Sequence, residues 1–175
     1  MGSRKIGPMR IRDYRPSDAP ALAALYARSV RGIGPRFYGP EQVEAWAATA
    51  PTVERVREAY GDGRVALVAV DGEDRPVAFS DVEPDGHINF LYCAPEAAGR
   101  GVASTLVARL EARARALGHP RLHVEASEAA RPFLLRHGFT LLTRRELRIG
   151  DVQIHNYAME KWLAPRGAAA TAARS

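Results

Sequence analysis

Residues 87–118 read HINFLYCAPEAAGRGVASTLVARLEARARALG, and this stretch decides which fold the chain can adopt. Its first seven residues alternate between two faces, with Ile88, Phe90 and Tyr92 on one of them, which is the period of a β-strand. A short loop follows. Up to Gly118, apolar residues then recur at helical spacing and charged residues cover the outside of the helix: the apolar ones are Val102, Leu106, Leu110 and Leu117, and the charged ones are Arg109, Glu111, Arg113 and Arg115. The stretch therefore predicts a strand, a tight loop and a long amphipathic helix that ends at the glycine.

The loop between this strand and this helix has the composition of an anion-binding turn. The first N–H groups of a helix have no partner within it, and the helix dipole favours negative charge there. Gly99 and Gly101 lack a Cβ, so a phosphate can approach the main chain, and Arg100 adds positive charge. The same residues also fit a tight turn whose small side chains serve packing. From these residues alone, neither interpretation is preferred.

The position of the loop in the chain adds specificity to the anion-binding interpretation. The run AGRGVA follows LYC and precedes the helix, and it resembles the pyrophosphate loop of the GNAT N-acetyltransferases, whose motif reads Q/R-x-x-G-x-G/A. Gly101 and Ala103 match the last two motif positions, whereas Ala98 stands where the motif has Gln or Arg. The runs FYGPEQVEAWA, VEASEAARPFLLRHGF and NYAMEKWL are similar to a YafP-like branch of this family. The resemblance covers residues 9–163.

The resemblance implies that acetyl-coenzyme A (acetyl-CoA) is the acyl donor and that main-chain N–H groups bind it. The implied cofactor-binding residues lie at the end of the central strand, in the AGRGVA motif and at one later position: Leu91, Tyr92, Cys93, Ala98, Gly99, Arg100, Gly101, Val102, Ala103 and Ser127. Ser127 stands where the family often has an asparagine that touches the pantetheine, and it equally suits a helix cap. No metal is expected, because His123, His137 and His155 lack the ligand spacing of a zinc site.

Acetyl transfer to an amine sets three chemical requirements. The amine must be neutral, the developing oxyanion needs a hydrogen-bond donor, and the departing thiolate often needs a proton. The resemblance implies direct attack of a primary amine on the thioester in a ternary complex, with a main-chain donor near Leu91 to Cys93. A non-catalytic acyl-CoA-binding module is the alternative, since Ala98 and Leu134 depart from the family pattern.

His87 is the candidate general base. It holds the strand position where some GNAT enzymes have a catalytic glutamate, and its intrinsic pKa of about 6.5 suits proton abstraction. Asn89 shares its strand face and is a candidate for orienting a water or the substrate, although a polar strand start explains His87 nearly as well. The family often has a tyrosine acid at the position of Leu134, so Tyr157 is the candidate acid unless the thiolate leaves unaided.

The segment before the second helix offers candidates for contact with the acceptor. Phe37, Tyr38 and Trp46 resemble the variable substrate-facing segment of the family. They equally suit the core side of the second helix. The acceptor itself is expected to be a small-molecule amine or an amine of a peptide or protein, and the sequence leaves a homodimer open.

The remaining patterns complete an α/β order. They predict β-α-α-β-β-β-α-β-α-β-β, with a final hairpin around Gly150, and this order matches that of the GNAT family. We therefore expect an α/β fold whose mixed, mostly antiparallel GNAT-type sheet is flanked by helices, as a single domain over residues 9–163. Residues 1–8 and 164–175 are predicted to be flexible tails.

Composition narrows the class of protein. The net charge of +5 is compatible with a nucleic-acid binder, but the arginines are dispersed among acidic residues, so we favour an anionic cofactor as its cause. No apolar run approaches the ~20 residues of a membrane span, and the first residues lack the apolar core of a signal peptide. Cys93 is the only cysteine, which excludes an internal disulfide. These features favour a cytoplasmic protein without a membrane partner.

Overall fold

The computed structural model describes residues 8–163, and within this range the chain forms eight β-strands and five α-helices. The strands are β1 (Arg10–Asp13), β2 (Val65–Val70), β3 (Pro76–Val82), β4 (His87–Ile88), β5 (Leu91–Cys93), β6 (Arg121–Ala126), β7 (Thr140–Ile149) and β8 (Val152–Trp162). The helices are α1 (Ala19–Ile33), α2 (Pro40–Ala47), α3 (Val53–Tyr60), α4 (Val102–Ala116) and α5 (Ala130–Arg136). The predicted α/β class is confirmed. The predicted tails lie outside the described residues, except for the exposed Pro8.

The strands form two four-stranded sheets. One has the order β1-β2-β3-β5, and all its pairings are antiparallel. The other has the order β4-β6-β8-β7, and its only parallel pairing joins β4 to β6, with His87 opposite His123. The expected mixed and mostly antiparallel arrangement is therefore confirmed. The long α4 packs against β2 and β3 of the first sheet, and the loop that precedes it follows directly from the end of β5.

The central strand is not continuous, which corrects the prediction of a single strand over residues 87–93. It is interrupted at Asn89 and Phe90, so that β4 pairs with β6 while β5 pairs with β3. The Phe90 N–H donates to the Asp81 carboxylate at 2.7 Å, and the Ser80 hydroxyl donates to the Phe90 carbonyl at 2.6 Å. The Asp81 N–H also lies 3.4 Å from the Phe90 carbonyl, so β3 satisfies both main-chain groups of Phe90, and the sheet opens on the other side of β5.

The carboxylate that makes this break is wholly buried. Asp81 is 0% exposed, and its other oxygen pairs with Arg64 at 2.9 Å. Burial raises the pKa of Asp81 to about 6, although its contacts with Phe90 and Arg64 oppose the rise. A buried charge is tolerated only when it is paired and hydrogen-bonded, and both conditions are met here. Glu83 contacts the same guanidinium at 2.9 Å.

Helix α4 follows its predicted pattern along most of its length. Leu106 and Leu110 are fully buried, as the spacing predicts. The prediction is wrong at Leu117, which lies past the last helical turn and is 65% exposed. It is also wrong at Glu111, which is buried because its carboxylate pairs with Lys161 of β8 at 2.5 Å. That pair fastens the helix to the second sheet.

Candidate active site

A cavity of about 470 Å³, here called the large cavity, opens where the two sheets separate. Its lining extends from the glycine loop, including Gly99 and Gly101, past β5 to Asn89 and Glu125. Residues of α1, β6 and α5 form its other walls. The volume lies in the range of small-molecule sites. The break in the central strand therefore produces a binding space between the sheets.

The glycine loop presents bare main chain to this cavity. Gly99 and Gly101 have φ angles of 74° and 78°, which favour glycine, and a Cβ added at either position meets nothing within 4 Å. Gly101 directly precedes α4, and no side chain caps the first N–H groups of that helix. Open space in front of uncapped N–H groups at the start of a 15-residue helix fits a pyrophosphate.

Most of the predicted cofactor-binding residues lie together around the large cavity. They are Leu91, Tyr92, Cys93, Ala98, Gly99, Gly101, Val102, Ala103 and Ser127, whereas Arg100 is not part of the lining. Ser127 accepts a hydrogen bond from the Ala130 N–H at 3.1 Å, so it serves the start of α5 as well as facing the cavity. Burial raises the pKa of the Cys93 thiol to about 11, which disfavours a thiolate nucleophile.

Leu134 lies in the wall of the large cavity and is fully buried. It occupies the position at which the family often has its tyrosine acid. The alternative candidate, Tyr157, does not line this cavity. Its hydroxyl donates a hydrogen bond to the Glu128 carboxylate at 2.6 Å. That hydrogen bond raises the pKa of Tyr157, and in return it lowers the pKa of Glu128 to about 2. The phenol proton is therefore held by a carboxylate.

His87 lies between two carboxylates. Its Nδ1 is 2.6 Å from Glu83 and its Nε2 is 2.6 Å from Glu125, while its ring stacks on His123 at 5.0 Å between centroids. Burial alone would lower the pKa of His87, but the hydrogen bonds to the two carboxylates raise it. The imidazole does not line the large cavity, whereas Asn89, two residues further along, does.

Glu125 is the cavity residue that the sequence analysis missed. One carboxylate oxygen contacts His87, and the other pairs with Arg145 at 3.1 Å. The side chain lines the large cavity and remains 38% exposed. A polar residue alternating with the buried Val124 and Ala126 is the available sequence signal. Its closeness to His87 depends on the parallel register of β4 and β6.

A second cavity of about 170 Å³, here called the small cavity, adjoins the large one. Five residues line both cavities: Tyr38, Trp46, Tyr92, Glu125 and Ser127. The remaining lining comes from the final hairpin, namely Leu147, Ile149, Ile154, His155 and Asn156. The interpretation of Tyr38 and Trp46 as cavity-facing fits this arrangement, although Tyr38 is also nearly buried, and Phe37 is 41% exposed and lines neither cavity.

Tyr38 fixes the small cavity by joining three elements. Its hydroxyl accepts a hydrogen bond from the Glu128 N–H at 2.8 Å and donates to the His155 carbonyl at 3.1 Å. The His155 ring in turn contacts the Glu128 carboxylate at 2.9 Å. The walls contributed by the α2 segment, the α5 segment and β8 are therefore held in one arrangement.

The described residues form neither a membrane-spanning helix nor a metal site. Within residues 8–163, no helix is long and apolar enough to cross a membrane. In the same range, no group of three or more His, Cys, Asp or Glu side chains is arranged to hold a metal ion.

Comparisons with known proteins agree with this architecture. The family described as acetyltransferase (GNAT) domain matches residues 36–161. The chain is 30% identical over 152 residues to the uncharacterized N-acetyltransferase YafP of Escherichia coli (strain K12). The aligned residues cover 86% of this chain and 94% of YafP. The crystal structure of a GCN5-related N-acetyltransferase from Rhodopseudomonas palustris, described as a class-II aminotransferase, is 31% identical with a TM-score of 0.81, and the match covers 93% of this chain and 100% of that one. PaiA N-acetyltransferase from Thermoplasma acidophilum, solved in complex with coenzyme A, shares the fold at 18% identity and a TM-score of 0.71. This match covers 89% of this chain and 99% of PaiA.

Proposed function

Because this chain belongs to the GNAT family of acetyltransferases, we propose that it transfers the acetyl group of acetyl-CoA to a primary amine by direct attack in a ternary complex. One observation carries the proposal: a cavity that starts at the bare glycine loop meets a second cavity beside a carboxylate, Glu125. Two substrates entering from opposite ends would meet at that residue. No covalent intermediate on the protein is required, and the raised thiol pKa of Cys93 agrees with this.

The large cavity is proposed to hold acetyl-CoA, which supplies the thioester. The N–H groups of residues 99–103 would bind the pyrophosphate, since the φ angles of the two glycines and the open space in front of them leave the main chain accessible. The pantetheine would follow the wall that contains Ser127 and Leu134. The coenzyme A complex of the Thermoplasma neighbour supports this assignment.

The break in the central strand is proposed to supply the oxyanion donor. Asp81 and Ser80 satisfy Phe90, and β5 has no strand partner on its other edge among the described residues. A main-chain N–H at Leu91 to Cys93 would therefore be available to the acetyl carbonyl. A preorganised donor at that point stabilises the charge that develops on the carbonyl oxygen.

We assign the first proton acceptor to Glu125 and a positioning role to His87. The attacking amine forms a C–N bond as the C–S bond breaks, and the proton it loses passes to the Glu125 carboxylate, directly or through a water that Asn89 orients. His87, held between Glu83 and Glu125, fixes the carboxylate and can pass the proton outward. The sulfur would leave as a thiolate, because Leu134 has no proton and the proton of Tyr157 is held by Glu128.

Turnover with an amine panel tests this function. Release of free thiol from acetyl-CoA in the presence of an amine is expected, and Glu125→Gln should lower kcat by about 10²–10⁴-fold while leaving coenzyme A affinity unchanged in calorimetry. Glu146→Gln is the matched control, since Glu146 is an exposed carboxylate paired with Arg144 on β7 and lines neither cavity. Binding of acetyl-CoA without acetylation of any amine would instead support the acyl-CoA-binding module.

A further inference from the structure

We infer that the acceptor is a small primary amine whose body is aliphatic or aromatic and carries no acidic group, and that it binds in the small cavity. The inference rests on the proposed function, because it takes the second substrate to enter opposite acetyl-CoA. It goes further by naming the chemical class of that substrate. Three properties of the small cavity carry it: its apolar walls, the sign of its charge and its size.

The walls of the small cavity are mainly apolar and aromatic. Three aliphatic side chains of the final hairpin, Leu147, Ile149 and Ile154, form one side. Aromatic side chains form the other side, with the rings of Tyr38 and Trp46 nearly perpendicular at 5.4 Å. Such surfaces favour an aliphatic or aromatic body, because burying that body removes apolar area from water.

The small cavity is lined by a carboxylate, that of Glu125, and by no Lys or Arg side chain within the described residues. Arg145, which lies outside the lining, pairs with one Glu125 oxygen, and His87 contacts the other. An ammonium group would therefore be attracted, whereas an acidic group on the acceptor would face a like charge without a partner.

Hydrogen-bonding capacity also remains for an amine. Asn156 lines the small cavity, and its buried Oδ1 accepts no hydrogen bond from any described residue. His155 belongs to the lining too, but its Nε2 is held by Glu128 at 2.9 Å. The carboxylate of Glu125 and the amide of Asn156 are thus the acceptors suited to an N–H donor.

The volume of the small cavity matches a small body. Its volume of about 170 Å³ equals the space of roughly six water molecules in the liquid. A phenyl or branched aliphatic group matches that space. We therefore commit to a small-molecule amine, and acetylation of a lysine side chain on a peptide is the outcome that would contradict it.

Three amines with one common body test the inference. Phenethylamine, L-phenylalanine and L-phenylalaninamide share a phenyl group, and only the second carries a carboxylate. We expect kcat/KM for phenethylamine to exceed that for phenylalanine by about 100-fold or more, with the amide in between. Equal values for the amine and the amino acid, or a lysine peptide acetylated better than phenethylamine, would overturn the inference while leaving the proposed function intact.

A variant pair sharpens the test. Leu147→Arg places a cation in the lining and should reduce the preference for phenethylamine over phenylalanine at least about tenfold. Leu142→Arg is its control, because Leu142 lies on the same strand, is 54% exposed and does not line the cavity. An unchanged preference in Leu147→Arg would contradict the assignment.

The test does not depend on turnover. If no amine is acetylated, the proposed function fails, and calorimetry on the coenzyme A-bound protein then decides the inference alone. Binding of phenethylamine at least about tenfold tighter than phenylalanine supports the assignment of the small cavity. Absence of phenethylamine binding overturns it.

Discussion

The two ends of the joined cavities are built in different ways. The glycine-loop end is made of main chain from one short segment, in which the glycine φ angles of 74° and 78° matter more than side chains. The hairpin end is made of side chains from α2, β5, β6, β7 and β8, which are distant in the sequence. A site made of main chain is expected to tolerate side-chain changes, such as Ala98 at the Gln/Arg position of the motif. A site made of side chains changes its ligand whenever one residue changes.

The largest effect on coenzyme A affinity is expected from Gly101→Asp. The substitution forces a φ of 78° on a residue with a Cβ and adds a carboxylate where the pyrophosphate is proposed to bind. Coenzyme A affinity, measured by calorimetry, should fall at least about 100-fold, or about 2.7 kcal/mol. Gly150→Asp is the matched control, because Gly150 also has a positive φ, of 58°, with open space around it, but sits at the hairpin tip. Equal affinities in the two variants would show that the glycine loop is only a turn.

A smaller effect is expected at the hairpin end from His87→Ala. If His87 positions Glu125, kcat/KM should fall roughly 10- to 100-fold, at or below the lower part of the range for a residue that itself takes the proton. The coenzyme A affinity should not change. His119→Ala, which affects a histidine outside both linings, is the control. Full activity in His87→Ala would show that His87 only begins β4 and does not position Glu125.

The pH dependence of stability tests the same contact. Because the pKa of His87 is raised in the folded protein, its stabilising contribution is fully present below its unfolded pKa of about 6.5 and is lost as the pH rises through the folded value. The difference in unfolding free energy between the wild type and His87→Ala should therefore be larger at pH 5 than at pH 9. Denaturant unfolding measures it, and a difference that grows with pH would contradict the two carboxylate contacts.

The smallest effect is expected from Ser127→Ala, which separates two roles of one residue. Loss of its hydrogen bond to the Ala130 N–H should cost about 0.5–2 kcal/mol of stability. Thr52→Ala is the matched control, since Thr52 caps α3 through Arg55 at 3.2 Å and lines neither cavity. A purely structural Ser127 predicts equal stability losses and unchanged KM for acetyl-CoA in both variants. A raised KM in Ser127→Ala alone would assign the side chain to the cofactor.

How far the sequence predicts each end follows from this contrast. The glycine loop and the hairpin around Gly150 are local patterns, so periodicity and turn residues suffice to place them. Glu125 escapes such reasoning, because its contact with His87 requires the parallel register of β4 and β6, in which His87 pairs with His123, 36 residues later in the chain. The exposed alternation on β6 looks like an ordinary strand face until that register is known.

The break in the central strand is a second feature that the local sequence pattern does not predict. Alternation over residues 87–93 predicts one strand, and nothing local marks Asn89 and Phe90 as the place where the strand is interrupted. The cause lies on β3, where the buried Asp81 is kept by Arg64 and takes the Phe90 N–H. Likewise, Glu111 appears solvent-facing by its helical position until Lys161 of the last strand pairs with it. Long-range electrostatic partners therefore decide the positions at which local periodicity fails.

Because β5 and β6 belong to different sheets, contact between the sheets at this point depends on what occupies the space between these strands. No ladder joins β5 to β6 among the described residues, so this seam lacks the interstrand hydrogen bonds that protect other amides. A molecule filling the seam contacts both halves and binds only the folded chain, which at 100 times its Kd adds about 2.7 kcal/mol to stability. Amide hydrogen exchange along β5 and β6 should consequently slow when coenzyme A is bound. Bound at the proposed site, coenzyme A would supply contacts between β5 and β6 that the two described sheets themselves lack.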